Sequence, residues 1–183
     1  MDTETILIKN ILLVEDDPED AQLTLAGLEK NHLASRVVVV HDGEKALDYL
    51  YSRGIFEMRP GGNPILVVLD LKMPKVNGLE VLKTIKADEQ LKIIPVVVLS
   101  SSREARDVVG CYRFGANAYV VKPVDFGDFM KAVTQLGTFW TAINEPPPVV
   151  WKEETGVQKG PGTFPGKTKV ENKIPASHPA SGG

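Results

Sequence analysis

Residues 65–82, ILVVLDLKMPKVNGLEVL, decide how this chain is read. Ile65 to Leu69 is an apolar run of the length of a buried parallel strand. It stops on an acid, Asp70. The Met73-Pro74 breaker and Asn77-Gly78 follow, then Leu79, Leu82 and Ile85 at helical spacing. This order predicts Asp70 at the carboxyl end of a central strand, where open α/β sheets place their ligands. A carboxylate in that position needs a partner, because an unpaired buried charge is costly.

Working outward, the same strand-then-helix pattern recurs. Ile11 to Val14 reads as a first strand, followed by Glu15-Asp16-Asp17-Pro18. Asp17 is a suitable N-cap, Pro18 suits the first helical position, and Glu19 and Asp20 are acids in the first turn. Ala21, Leu25 and Leu28 mark a helix ending near Lys30. Val37 to Val40 is a second strand, His41-Asp42-Gly43 a turn, and Ala46, Leu47 and Leu50 a second helix. Tyr51 to Asn63, with Gly54, Pro60, Gly61 and Gly62, reads as an extended helix end and a surface loop. The third helix is expected over about Gly78 to Lys86. Pro95 opens a fourth strand, Val96 to Leu99, ending on Ser100-Ser101-Ser102. Ser101 and Glu104 have capping-box spacing, which predicts a fourth helix from Ser102 to near Gly115. Ala118 to Val121 is a fifth strand ending at Lys122-Pro123. The fifth helix carries Phe126, Phe129, Val133, Leu136 and Trp140 on one stripe. Five alternations of strand and helix predict a parallel sheet covered on both faces by helices, joined by right-handed crossovers.

Composition narrows the function. The 183 residues suit one ordinary domain with a remainder. A net charge of −3, with no run of like charges, argues against an electrostatic nucleic-acid binder. The single cysteine, Cys111, excludes a disulfide framework within the chain and fits a reducing compartment. The opening MDTETILIKN has no basic region leading into a long apolar core, so no secretory signal is expected. No apolar run approaches the roughly 20 residues needed to cross a bilayer, so the expectation is a cytoplasmic protein without membrane insertion. From Pro146 to Gly183 the chain is rich in Pro, Gly, Lys, Thr and Ser. It carries five lysines against three glutamates there, leaving −5 on the preceding part. The expected organisation is an extension over 1–8, a domain over 9–145 and a mostly disordered tail over 146–183. Val149-Val150-Trp151 is the apolar patch of that tail, either solvated or docked through Trp151 on the domain or a partner.

Four features fall at the carboxyl ends of strands, which share one edge in a parallel sheet. They are Glu15-Asp16, Asp70, Ser100 and Lys122. The acids make a hard-oxygen site of the kind that suits Mg²⁺. A carboxylate beside such a cation and a lysine can act as a nucleophile towards phosphorus, giving an acyl phosphate. The cation and Lys122 would offset charge on the transferring group, and Ser100 would hydrogen-bond it. Singly, each residue has an ordinary role. Asp70 could be a turn residue or N-cap, Glu15 to Asp17 an acidic helix start, Ser100 a residue leading into its helix, and Lys122 a solvated loop lysine. Their arrival in the required order argues for a site.

At these residues the chain resembles a response-regulator receiver domain of two-component signalling. The matching stretches are ILLVEDDPED, VVLDLKMPKVNGLEVL, PVVVLSSS and GANAYVVKP, within about residues 9 to 140. The resemblance implies a flavodoxin-like, doubly wound (βα)5 three-layer sandwich with a five-stranded parallel sheet of order 2-1-3-4-5. It implies that Asp70 is the phosphoacceptor and that Asp16 ligates Mg²⁺ directly. Glu15 would hold a metal-bound water, and Asp70 and the backbone carbonyl of Lys72 would complete the ligands. It further implies that Ser100 and Lys122 contact the phosphoryl group, and that Ser100 and Tyr119 form the switch, Tyr119 turning inward on activation. The Lys122-Pro123 bond is often cis in such domains.

The implied protein is a phosphoacceptor with only self-catalysed phosphotransfer and autodephosphorylation. Its partners would be a sensor histidine kinase and a downstream protein or phosphotransfer partner, reached through a face made of helix four, strand five and helix five. The segment before the third strand and the Phe139-Trp140 to Pro146-Pro147 ending resemble single-domain regulators that partner bacterial phytochromes. Phe139 and Trp140 either support a homodimer or close the core. Val124 and Ser101 depart from common residues of the family without removing a chemical group. Lys72 and Ser102 stand at positions that influence dephosphorylation. The tail is too sparsely patterned for a helix-turn-helix module, so direct DNA binding is not expected. Two other classes compete: a pseudo-receiver that binds partners without phosphorylation, and a dehalogenase-like phosphatase. The latter would need a second acid two residues after Asp70, where Lys72 stands.

Overall fold

The structure, a computed structural model, describes residues 10–30, 36–59 and 62–147. Five strands alternate with five helices: β1 (Ile11–Val14), α1 (Pro18–Glu29), β2 (Val37–Val40), α2 (Gly43–Leu50), β3 (Leu66–Leu69), α3 (Gly78–Ala87), β4 (Val96–Ser100), α4 (Ala105–Arg113), β5 (Ala118–Val121) and α5 (Phe126–Thr138). A 3₁₀ turn over Gly54–Phe56 follows α2, and a π-helical turn over Phe139–Ile143 continues α5. All strand pairs are parallel, in the order β2-β1-β3-β4-β5. This is the expected doubly wound sheet.

The strands read as continuous apolar runs because both faces are covered. Their side chains alternate between two cores. Leu12, Val14, Val67, Leu69, Val96 and Val98 pack with Ala46, Val81, Leu82, Ile85 and Cys111 on one face. Ile11, Leu13, Leu66, Val68, Val97 and Leu99 pack with Ala21, Leu28, Phe129, Met130 and Val133 on the other. Cys111 is fully buried, and burial pushes its thiol up to about 11, so it packs as a small apolar residue. No helix among the described residues is long and apolar enough to cross a membrane.

Local chemistry sets the helix ends. Asp17 Oδ1 accepts from the amides of Glu19 and Asp20, with Pro18 next to it, as the sequence predicts. Asn77 caps α3 through Glu80 N. Gly115, at φ +90°, ends α4 in a conformation that favours glycine.

Three expectations are corrected. The fourth helix starts at Ala105, not Ser102, and the Ser101–Glu104 capping box does not form. Glu104 holds the N-cap position without a side-chain cap, and Ser102 instead bonds Asp107 and the Glu104 amide. The stripe on α5 excludes Phe126, which is 62% exposed as the first helical residue. The peptide bonds of the described residues contain no cis form, so Lys122-Pro123 is trans. Of the pair at the end of the fifth helix, Phe139 is exposed, while Trp140 is half-buried against the core. Trp151 and the tail beyond 147 lie outside the described residues.

Among the described residues, Thr24 Oγ1 in α1 is the buried side-chain polar atom without a partner. Replacing it with valine removes an unsatisfied hydroxyl at nearly constant shape. Thr24→Val is therefore expected to stabilise the chain by about 1 kcal/mol, read as a higher urea midpoint with unchanged slope.

Candidate functional site

The sheet ladder carries the site. Val14 and Leu69 are register partners, and the backbone bonds continue past them: Glu15 N donates to Val40 O, Asp70 N to Val14 O, and Lys122 N to Ser100 O. Residues far apart in sequence thus leave three strands at the same level with their backbones fixed. Glu15, Asp70, Ser100 and Lys122 are all buried, and Asp16 is half-buried.

Lys122 is the centre of the cluster. Its Nζ lies 2.7 Å from Glu15 Oε2, 2.7 Å from Asp20 Oδ2 and 3.1 Å from Asp70 Oδ2. Burial alone would lower its affinity for the proton, but the carboxylates of Asp20, Glu15 and Asp70 outweigh this and hold it above the ordinary lysine value. Lys122 is therefore a permanent cation. Burial pushes Glu15 up to about 7 despite its bond to Lys122, and the neighbouring Asp70 adds to the rise. The amide of Asp17 donates to its other oxygen.

Asp70 is held at both ends. Its Oδ1 accepts from Leu71 N at 2.6 Å and Lys72 N at 3.3 Å, while Oδ2 faces Lys122. The carboxylate therefore has a fixed direction. The turn after it passes very close: Gly78 N donates to Leu71 O, and a Cβ on Gly78 would overlap the main-chain oxygen of Asp70. The side chain of Lys72 is exposed.

Each of Glu15, Asp16 and Asp70 offers a carboxylate oxygen, and these three atoms lie within 4.8 Å of one another. Hard oxygen donors so spaced, in a cluster of four carboxylates of which Glu15, Asp20 and Asp70 share one ammonium, fit a divalent cation.

Ser100 Oγ accepts from Ser102 N at 3.4 Å, and the Tyr119 hydroxyl donates to Ser102 O at 3.0 Å. Tyr119 is half-buried beside this loop. The structure therefore brings together Glu15, Asp16, Asp70 and Lys122, and sets Ser100 at the end of β4 and Tyr119 within the neighbouring β5. His41, expected on a surface loop, is exposed and its Nδ1 meets Glu15 O at 2.9 Å.

The sequence reading missed Asp20 as a member of the cluster. An acid in the first turn of a helix already has a reason in the helix dipole, which hid its second role. Its place one turn beyond Asp16 was the available signal. It also gave the capping role at the start of α4 to Ser101, where the bonds are made by Ser102.

Comparison with known proteins agrees with this geometry. The profile of the response regulator receiver domain matches residues 11–134. Response regulator Rcp1 from Synechocystis sp. is 38% identical over 132 residues, covering 72% of this chain and 88% of that protein. The crystal structure of the Mn(2+)-bound form of response regulator Rcp1 aligns with a TM-score of 0.70 at 36% identity, over 76% of this chain and 99% of that one. The phosphorylated cyanobacterial phytochrome response regulator RcpA gives 0.72 at 37%, over 76% and 98%. The bacteriophytochrome response regulator AtBRR is 57% identical, with a TM-score of 0.61 over 75% of this chain and 98% of that one.

Proposed function

The chain belongs to the response regulator receiver domain family, and on that premise we propose that Asp70 accepts a phosphoryl group from a sensor histidine kinase. The observation that carries the proposal is Asp70 itself: a buried carboxylate at the end of the central strand, fixed by two backbone amides and 3.1 Å from the Lys122 ammonium.

In the step, an Asp70 carboxylate oxygen attacks phosphorus and the bond from phosphorus to the kinase imidazole nitrogen breaks. The imidazole leaves with the electron pair, and an aspartyl phosphate remains. Lys122 offsets negative charge on the incoming group from one side. The amides of Leu71 and Lys72 hold the carboxylate in line. Ser100 donates its hydroxyl to a phosphoryl oxygen, and Tyr119 takes up the space released, remodelling the face made by α4, β5 and α5. Loss of the group to water later restores the carboxylate. Glu15, Asp16 and Asp70, with the main-chain carbonyl of Lys72, would hold Mg²⁺, which when bound supplies positive charge against the phosphoryl oxygens. We assign the receiver unit to residues 9–145.

The relatives bear on the kinase. AtBRR and RtBRR, at 57% and 56% identity, are bacteriophytochrome response regulators, which supports a phytochrome-type kinase as donor. Exposed Phe139 supports a homodimer through the end of the fifth helix, to be read by sedimentation of the chain against Phe139→Ser. The pseudo-receiver alternative is not favoured, since acids, hydroxyl and lysine are all in place.

Incubation with phosphoramidate tests the proposal. The chain is expected to gain the mass of one phosphoryl group with Mg²⁺ and none in excess chelator; no gain in either condition contradicts it. The cation is tested separately by stability. Mg²⁺ at 100 times its dissociation constant is expected to stabilise the chain by about 2.7 kcal/mol, read from urea unfolding. Asp16→Asn should lose most of that increment.

A further inference from the structure

Ser102 joins three parts of the molecule. Its amide donates to Ser100 Oγ at 3.4 Å, its carbonyl accepts the Tyr119 hydroxyl at 3.0 Å, and its own hydroxyl donates to Asp107 Oδ2 at 2.6 Å. Ser102 is 3% exposed, while the Asp107 side chain is 30% exposed. The bond to Asp107 is short and charge-assisted, the strong kind of hydrogen bond. Asp107 stands in the first turn of α4, where a carboxylate also faces the positive end of the helix. Its other oxygen is only 3.8 Å from Arg106 Nε, which pairs more closely with Glu104 at 2.7 Å. Ser102 is thus the nearer partner of Asp107.

We propose that Asp107 is a positioning residue that, through the Ser102 hydroxyl, latches the loop between β4 and α4 and so sets how readily Ser100 leaves its place to meet a phosphoryl group on Asp70. The inference rests on the reading of Asp70 as phosphoacceptor. In the arrangement observed, Ser100 Oγ is engaged by Ser102 N, and both Asp70 oxygens are engaged by Leu71, Lys72 and Lys122. Ser100 Oγ is the acceptor of the Ser102 amide, so a displacement of Ser100 towards Asp70 pulls on the Ser102 backbone. A shift of Ser102 stretches the bond that ties its hydroxyl to α4. The Asp107 bond therefore opposes the rearrangement, and the Tyr119 bond to the same residue couples strand β5 to it.

An ordinary role competes with this one. Ser102 and Asp107 could do no more than secure the start of α4, whose N-cap residue Glu104 makes no side-chain capping bond to the helix amides. The two roles differ in what they change. A simple helix support alters stability; a latch alters the equilibrium between arrangements of Ser100.

The test compares Ser102→Ala, Asp107→Ala, their double variant and Asp107→Asn in the full chain. Each is phosphorylated with phosphoramidate and Mg²⁺, and each is unfolded in urea. The latch predicts that both alanine variants and the double variant raise the phosphorylation rate by the same factor, about tenfold. Asp107→Asn keeps an acceptor for the Ser102 hydroxyl and should stay within about twofold of wild type. Equal rates in all variants, with lower urea midpoints, would show a helix support and overturn the latch. So would a slower rate in the alanine variants, or factors that multiply in the double variant. A wild-type chain that gains no phosphoryl group would instead contradict the Asp70 reading and take the latch down with it.

Discussion

Lys122→Met is expected to lower the stability of the cation-free chain by about 3 kcal/mol, because it leaves buried carboxylates without their ammonium. The Lys122 side chain is 7% exposed, and those of Glu15 and Asp70 are 2% and 8% exposed, so water cannot take over its charge. Asp20, which is 38% exposed on its side chain, can turn outward and is a smaller part of the loss. Methionine keeps the apolar stem, so the change reports the charge and not the packing. Urea unfolding with and without Mg²⁺ separates the terms. The deficit should shrink when Mg²⁺ is added, since a second positive charge then faces the same acids. A deficit that is unaffected by Mg²⁺ would contradict the claim that Lys122 and the cation face the same acids. The variant should also accept a phosphoryl group about 10²-fold more slowly, from loss of one preorganised charge at the transferring group.

Gly78→Ala should have an effect of similar size by a different route. The added Cβ would overlap the main-chain oxygen of Asp70 and stand 2.8 Å from Leu71 Cα. Both are backbone atoms of the segment leaving a central strand, so neither can turn aside as a side chain can. Overpacking of this kind costs about 3 kcal/mol, towards the upper end of the usual range. Relief by moving the β3–α3 turn would displace the Leu71 and Lys72 amides that hold Asp70 Oδ1. A displacement near 1 Å there predicts a roughly 10²-fold slower phosphorylation. A variant with wild-type urea midpoint and rate would contradict this account of the turn.

Much of this was legible in the chain. Runs such as Val37 to Val40 and Val96 to Leu99 are short, apolar and β-branched, and each is followed by a helical pattern. That alternation leaves little choice but a parallel sheet. Because the strands are parallel, residues just past their carboxyl ends share an edge, so Glu15, Asp70 and Lys122 could be placed together although Glu15 and Lys122 are 107 positions apart. What failed was local. Ser100-Ser101-Ser102 offers three hydroxyls in a row as helix starts, and spacing alone cannot tell which one is used. The choice is made by Asp107, a turn further on. Phe126 has the right spacing for the apolar stripe of α5, but it is the first helical residue and stands clear of the core that covers Phe129 and Val133. Asp20 was hidden by having a sufficient reason at its own helix terminus.

The same cluster explains how the sheet tolerates so many acids on one edge. Asp70 and Glu15 share one cation, and Asp17 is drawn off to cap α1. Asp16, the carboxylate of the Glu15, Asp16 and Asp70 group that Lys122 does not touch, is the half-buried one.

The most direct measurement of the central claim locates the phosphoryl group. An aspartyl phosphate is reduced by borohydride to homoserine, while free carboxylates are not. The chain would be treated with phosphoramidate and Mg²⁺, reduced, digested and mapped by mass, alongside Asp70→Asn. The account predicts homoserine at position 70 and no conversion in the variant. Homoserine at another acid, or undiminished phosphorylation of Asp70→Asn, would contradict it.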